Sequence, residues 1–411
     1  MNKRVGFPKK SMRDVPLDGK VVLLRADYNV PFDAKGKIAD DYRIVSSIPT
    51  VKSLLDRGCK VVICSHLGRP DGKVDARYSL EPVAERLGEL LGQHVAFAPD
   101  CIGDRVHQAA KRLGGGHVLL LENLRFHAGE EANDVHFAEA LAKDTAAEYF
   151  VQDGFGVVHR AHASTDAIAA FLPSVAGLLL EREYVTITSV MNEPKRPMVA
   201  ILGGAKISDK IAVIERFVEL ADRVVIGGAM ANTFLQYRGY DIGASIHEDG
   251  LDGIIKRIYD AAEKKVGRDA VDDFIILPSD VAVAPKIEPD VRRVTVSIDD
   301  IAKDEYILDI GHDSIQAATD ALKGAATVVW NGTLGYSELP QFAHGSARVA
   351  LALASSPDTT SVIGGGDTAD FVIHWDAKKG GSFTHVSTGG GASLDLMAGA
   401  KMPGIDALLD A

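Results

Sequence analysis

Short, nearly continuous apolar runs recur along the chain at residues 21–24, 61–64, 118–121 and 149–151. They return at 198–202, 224–226, 275–277, 328–330 and 362–363. Runs without polar alternation suit strands covered on both faces. Helical spacing lies between them: Leu80, Val83, Ala84, Leu87 and Leu91 share one face, Ser79 offers a cap and Gly92 a stop. Alternating strands and helices predict an α/β protein with mostly parallel, Rossmann-like sheets flanked by helices. Leu180, Tyr184, Ile187 and Met191 fall at i, i+4, i+7 and i+11 before Pro194 and Pro197 break the pattern. A hinge helix joining two lobes is the expectation. Beyond Gly404, the apolar Ile405, Leu408 and Leu409 need a surface, and the first lobe is the one expected. The chain shows neither a solenoid-type repeat nor a low-complexity tract.

A length of 411 residues agrees with two or three compact units. With 46% hydrophobic and 25% charged residues the composition is globular, which sets aside disordered and fibrous classes. The longest nearly apolar stretch, 167–180, contains Pro173 and is shorter than the ~18 residues of a membrane span. A net charge of -12 argues against broad binding to nucleic acid or anionic membranes, yet leaves room for a local cationic pocket. Lys3, Arg4, Lys9 and Lys10 precede no apolar segment of secretory type. Cys59, Cys64 and Cys101 form no C-x-x-C and read as buried apolar residues in a reducing compartment. A cytoplasmic protein is expected.

In open parallel sheets ligands bind beyond the carboxyl ends of the strands, so the residues after each apolar run carry the chemistry. After the first-half runs come Asp27 and Asn29, His66 and Arg69, Arg125, and the cluster His159, Arg160 and His162. Any one arginine reads as a solvated charge, but arginines at several strand ends would converge on a small, multiply anionic substrate. His159 and His162 have a spacing open to metal ligation; without an evident third ligand, hydrogen bonding or packing suits them better.

The second-half runs end instead in glycine: Gly203-Gly204-Ala205-Lys206, Gly227-Gly228, Asn331-Gly332, Gly364 through Thr368, and Thr388 through Gly391. Glycine lets backbone amides approach a phosphate, a following helix N-terminus favours its charge, and Asp367 offers a hard oxygen for Mg2+. The chain has no G-x-x-x-x-G-K-[ST], and G-x-G-x-x-G fails at Gly154 and at Gly389. A P-loop NTPase and a Rossmann-type NAD oxidoreductase are therefore disfavoured. Lys206 and Lys210 stand four apart beside Ile207, Ile211, Ile214 and Val218; on a helix their ammonium groups would be neighbours needing an anion between them. Two exposed lysines on a helix flank are the alternative.

Several strings, taken in order, resemble the phosphoglycerate kinase family almost from end to end. They are Arg25 through Pro31 (RADYNVP), Ser65 through Pro70 (SHLGRP), Leu121 through Phe126 (LENLRF), Gly203 through Lys210 (GGAKISDK), Trp330-Asn331-Gly332, Gly364 through Thr368 (GGGDT) and Ser387 through Ser393 (STGGGAS). The resemblance implies a monomeric enzyme of glycolysis and gluconeogenesis. It would transfer a phosphoryl group reversibly between 1,3-bisphosphoglycerate and ADP, giving 3-phosphoglycerate and MgATP, in line and after lobe closure. Its partners would be these small molecules, with ATP/ADP and Mg2+ as cofactors, and neither nucleic acid nor membrane.

By the same resemblance, residues 1–180 with a returning tail at 400–411 hold the glycerate. Residues 181–197 form the hinge and 198–399 the nucleotide domain. Asp27, Asn29, Arg43, His66, Arg69, Arg125 and Arg160 would bind the glycerate. Lys210, Gly227, Gly228, Glu338 towards the ribose, Gly365, Gly366, Asp367 and Thr368 would bind nucleotide, with Asp367 on Mg2+. Arg43, Lys206, Lys210 and the amides of Gly389, Gly390 and Gly391 would stabilise transferring charge. Thr333 stands where the family has proline, and Tyr336-Ser337 precede Glu338 where it has Val-Phe, so an altered loop is expected. Gln152 and Gly154 stand where Asn and Ala are common and predict altered packing with the chemistry kept. A catalytically silent nucleotide-binding relative is the alternative. It should have lost Arg43, Lys210 or Asp367, and all three are present.

Overall fold

The computed structural model describes residues 6–411; residues 1–5 of the expected glycerate domain, Lys3 and Arg4 among them, lie outside it. Two compact units result, one running to Val185 and taking in Ala400–Ala411, the other Thr186–Gly399.

In the first unit β1 (Val21–Arg25), β2 (Lys60–Cys64), β3 (Val95–Ala98), β4 (Val118–Leu121), β5 (Tyr149–Gln152) and β6 (Ser174–Ala176) form one sheet. Their order is β3-β4-β2-β1-β5-β6, and every pair is parallel. Alternate side chains feed two cores: Val22, Leu24, Val61 and Ile63 enter one, Leu23, Val62, Leu119 and Phe150 the other. Both faces are covered, which is why these strands read as unbroken apolar runs. The chain order reverses between β1 and β5, and such a switch point leaves a crevice at the carboxyl ends.

The second unit repeats the plan. Its strands are β7 (Met198–Leu202), β8 (Arg223–Ile226), β9 (Ile275–Ile276), β10 (Asp280–Ala284), β11 (Val294–Ser297), β12 (Tyr306–Ile310), β13 (Thr327–Asn331), β14 (Thr360–Gly364) and β15 (His385–Val386). Six form a parallel sheet ordered β15-β14-β13-β7-β8-β9, with the switch between β7 and β13. A second, antiparallel sheet, β11-β10-β12, was not expected from the apolar pattern; its outer strand β11 is half exposed and leaves no run to read, but the buried β10 was missed as well. The short edge strands β3, β6 and β15 were also absent from that pattern.

Helix Glu81–Leu91 ends at Gly92 in the left-handed region, φ 69°, as its sequence predicts. Its cap residue is Leu80 rather than Ser79, yet the Ser79 hydroxyl still accepts the Glu81 N–H at 3.2 Å. Helix Leu178–Asn192 carries the expected apolar spacing, and the unit boundary falls inside it. The buried Asp153 carboxylate accepts the N–H groups of Leu179 and Leu180 at its start, at 2.9 and 3.2 Å. In the first unit Gly404 N donates to Val158 O, Leu409 N to Ser174 O and Lys10 N to Leu409 O, while Ile405 and Leu408 are buried.

Candidate active site

At the switch point of the first unit the loop after β1 carries Asp27 and Asn29, and helix Tyr42–Asp56 carries Arg43 in its first turn. Arg43 Nη1 donates to Asn29 O at 3.0 Å and lies 3.3 Å from Asp27 Oδ2. Asn29 Oδ1 accepts from Gly68 N at 2.8 Å, and Arg125 Nη1 donates to Gly68 O at 2.8 Å. The loops after β1, β2 and β4 are thus tied through Gly68. Arg125 is buried and has Glu131 3.2 Å from its Nε; burial lowers its pKa. Arg160 is exposed and its Nε donates to His159 Nε2 at 3.2 Å, while Arg69 is exposed and has no ion pair among the described residues.

Beneath this surface lies Arg25, fully buried at the end of β1. It donates to Ser164 Oγ at 2.8 Å and to Ala26 O, and Glu130 lies 3.9 Å away. Its Nη2 is 3.2 Å from His66 Nδ1. A guanidinium can only donate, so Nδ1 accepts and the imidazole proton sits on Nε2. Burial, then the charges of Arg25, Arg125 and Arg43, hold the His66 pKa well below the usual imidazole value. Burial, Arg25, Arg125 and Arg160 push His162 down to about 4. Both histidines are neutral at pH 7. These side chains make a field of guanidinium charge that keeps the imidazoles uncharged, which suits a multiply anionic ligand. Arg125 acts on both histidines, Arg43 on His66 and Arg160 on His162, whereas Arg69 acts on neither. Arg25, Glu130 and Ser164 had no assigned role in the sequence reading. The apolar residues before Arg25 identify its strand but not its burial.

In the second unit an apolar cleft, open to solvent, is lined by Ala231, Ile246, Val281, Leu308, Leu334 and Tyr336, among others. Glu338 stands exposed on its lining, and the buried Asp309, raised to about 7 by burial, also borders it. A second cavity, lined by Lys206, Lys210, Gly332, Gly365, Gly366, Thr368, Gly390 and Gly391, shares Gly204, Ala205 and Asp367 with the first. An apolar slot therefore runs into a glycine and lysine nest, beside the N-terminus of helix Gly366–Trp375. That is the shape and polarity of a base followed by phosphates.

Lys210 Nζ donates to Gly203 O at 2.8 Å, and burial lowers its pKa to about 8 against the opposing pull of Asp367 and Asp209. Lys206 and Lys210 do not share a helix. Residues 204–210 form a turn closed by Lys210 N to Ile207 O at 2.8 Å, and helix Ile211–Leu220 starts only afterwards. The turn keeps Ile207 in the core with Ile214 and Val218 while freeing both lysines from helical spacing.

Gly204 has φ +87°, and a β-carbon there would stand 3.3 Å from Lys210 Nζ. Gly228, at φ +63°, would press a β-carbon to 2.7 Å from Gly204 N. The N–H groups of Gly227 and Gly228 bond Leu202 O and Leu334 O, so neither donates into the cleft, and only Gly228 lines it. Gly389 N likewise donates to Ser387 Oγ at 3.1 Å, leaving Gly390 and Gly391 on the cavity. Thr368 Oγ1 accepts from Gly332 N at 2.7 Å. Thr333 offers its carbonyl to Gly204 N at 2.9 Å, a bond that needs nothing from its side chain. Asn331 lines the same cavity, fully buried, with neither amide atom hydrogen-bonded among the described residues. An orphaned amide beside this nest leaves a donor and an acceptor open toward the cavity, and no role was assigned to Asn331 from the sequence; its place between a strand end and Gly332 was the available signal.

Asp367 is exposed, borders both cavities and acts on Lys210. One hard carboxylate next to a phosphate nest fits Mg2+, which keeps waters and takes its remaining ligands from the phosphates.

Residues 12–400 match the family model described as phosphoglycerate kinase. The phosphoglycerate kinase of Pelotomaculum thermopropionicum is 47% identical over 403 residues, 98% of this chain and 99% of that one. The enzyme of that name from Pseudothermotoga lettingae is 45% identical over 98% of this chain and 99% of its own. Among solved structures, phosphoglycerate kinase from Coxiella burnetii superposes with a TM-score of 0.81 at 35% identity, covering 97% of this chain and 98% of its own. That of Pyrococcus horikoshii gives 0.82 at 32% identity with the same coverage. With this order of strands, these two pockets and matches along nearly its whole length, the chain belongs to the phosphoglycerate kinase family.

Proposed function

We propose that the chain catalyses reversible phosphoryl transfer between MgATP and the carboxylate of 3-phosphoglycerate. The observation that carries this reading is the apolar slot opening through Gly204, Ala205 and Asp367 into the lysine and glycine nest. The first unit's guanidinium pocket supplies the matching anion site. A carboxylate oxygen attacks the γ-phosphorus, the bond to the β,γ-bridging oxygen breaks, and ADP leaves as the acyl phosphate forms. No base or phosphoenzyme is needed, because the work is positioning and charge neutralisation.

In this reading Asn29, Arg69, Arg125 and Arg160 hold the glycerate anion. Asp27 orients Arg43, and His66 gives a neutral N–H from Nε2. Glu338 takes the ribose, while Lys206, Lys210, Thr368 and the Gly365, Gly366 and Gly390 backbone hold the phosphates. Asp367 would hold Mg2+, which neutralises phosphate charge. Arg43 and Lys210 meet the charge that spreads over the equatorial oxygens. Donor and acceptor must come into line, so a closed state of the two units is part of the proposal.

A cytoplasmic, single-chain enzyme also belongs to it, supported by three free, buried cysteines and by large exposed apolar residues dispersed along the sequence. Among the described residues no helix is long and apolar enough to cross a membrane. The deciding experiment is ADP formation from MgATP by the purified protein with and without 3-phosphoglycerate. Acceptor-dependent ADP is expected; folded protein that binds MgATP without turnover would reject the kinase reading in favour of a silent binding protein.

A further inference from the structure

Nothing in the turn that carries Lys206 and Lys210 is regular structure until Ile211, yet its backbone is gripped from another segment. Glu248 lies in the connection between helix Gly228–Tyr237 and helix Asp252–Val266. Its Oε2 accepts the consecutive N–H groups of Ile207 and Ser208 at 2.5 and 3.1 Å, and its Oε1 accepts the Ser208 hydroxyl at 2.5 Å. A carboxylate bonding two successive N–H groups fixes the plane of the peptide between them. Those two residues fall directly after Lys206 and two before Lys210.

The segment that holds Glu248 is itself anchored. Glu248 N donates to Thr233 Oγ1 at 3.1 Å, and Asn232 Nδ2 donates to Ile246 O at 2.9 Å. Asn232 and Ile246 both line the apolar cleft. One stretch of three residues thus forms cleft wall at Ile246 and clamps the lysine turn at Glu248. Lys206 also acts on the Glu248 carboxylate, so the clamp and the cation are electrostatic neighbours.

We propose that Glu248 is a positioning residue for phosphoryl transfer, its carboxylate holding the Ile207 and Ser208 backbone so that Lys206 and Lys210 face the transferring group. This rests on the role given to the two lysines above. Glu248 touches no substrate; it acts by reducing the freedom of the turn. The loss on its removal should therefore fall on kcat with the nucleotide saturating, and spare the glycerate side.

The test is steady-state kinetics of Glu248→Ala, Glu248→Gln and Ser208→Ala, with Lys210→Ala as control. Glu248→Ala is expected to lower kcat about 10- to 100-fold, the rate equivalent of lost charge-assisted hydrogen bonds. KM for 3-phosphoglycerate should stay within about twofold. Glu248→Gln should return kcat to within about threefold of the parent, since one amide oxygen can accept both N–H groups as Oε2 does. Ser208→Ala, which leaves the backbone grip intact, should cost about threefold and carries the measurement if Glu248→Ala does not fold. Unchanged kcat in Glu248→Ala with only a raised nucleotide KM would overturn the proposal. So would a Gln variant as impaired as Ala, which would assign the effect to charge. Parent-like activity in Lys210→Ala would instead remove the lysine reading, whereas an inactive Lys210→Ala beside an unimpaired Glu248→Ala would remove this inference alone.

Discussion

The arginine cluster of the first unit and the cleft of the second occupy equivalent places, each at the switch point of a six-stranded parallel sheet, and in the proposed function they hold anions by opposite means. The first uses side chains. Arg43 is braced by Asn29 O and Asp27, Arg125 by Gly68 O, and Arg25 is sunk beneath them against Ser164 and His66. The second uses little side-chain charge and much backbone, with Gly204, Gly332, Gly365 and Gly390 all at positive φ around Lys206 and Lys210. Braced guanidinium forks read a small anion of fixed shape. Bare backbone and an apolar slot read a base and a flexible chain of phosphates. One architecture yields two chemistries because the strand ends differ while the strands do not.

Exchange of function between the two sites can be tested one residue at a time. The largest effect is expected from Arg43→Ala, with kcat falling about a thousandfold while the melting temperature shifts little, since in the proposed mechanism the residue meets transition-state charge. Near-parent turnover would take Arg43 out of the chemistry and leave the first unit a binding site only. Next is Asp367→Ala, predicted to weaken ADP binding about 10- to 100-fold by calorimetry with Mg2+ present and by much less with the metal chelated. Equal weakening in both conditions would mean the carboxylate does not hold the metal.

Gly204→Ala should raise the nucleotide KM about tenfold and leave the 3-phosphoglycerate KM unchanged, because its φ of +87° and the neighbouring Lys210 Nζ leave an added methyl no relaxed position. A change on the glycerate side would break the separation of the two sites.

The mildest test uses pH. In the proposed function Lys210 binds phosphate as the ammonium ion, and its pKa is lowered to about 8, so nucleotide affinity should hold below that pH and weaken by up to about tenfold per unit as pH rises through it. Lys210→Arg should flatten the profile. No matching loss is expected from His66 between pH 7 and 9, because that ring is already neutral.

Most strands of the two parallel sheets were legible in the sequence with bounds accurate to a residue or two, as at Met198–Leu202 and Val118–Leu121, but Asp280–Ala284, buried on both faces, was missed although its Val-Ala-Val-Ala run is apolar. Where a strand is short or half exposed, as at Val294–Ser297, burial leaves no run to read. The glycine and arginine strand ends pointed to the two crevices because a strand end and a switch point are both sequence-local facts. Roles set by long-range packing were hidden. Asn331 loses its hydrogen-bond partners only once Gly364 and Gly365 close against it, and Arg25 becomes a buried brace only when Ser164 folds over it. Lys206 and Lys210 were weighed as helical neighbours, whereas they lie in a turn whose Ile207 and Ser208 N–H groups are accepted by Glu248, about forty residues away.

The return of Ala400–Ala411 to the first unit has a consequence for biogenesis. The backbone bonds joining Lys10 and Ser174 to Leu409 cannot form until every residue of the second unit has been synthesised. As the nascent chain leaves the ribosome, the unit that begins first is therefore completed last. Its β6 edge waits meanwhile without the segment that will cover it, and that interval is when a chaperone would have most to shield.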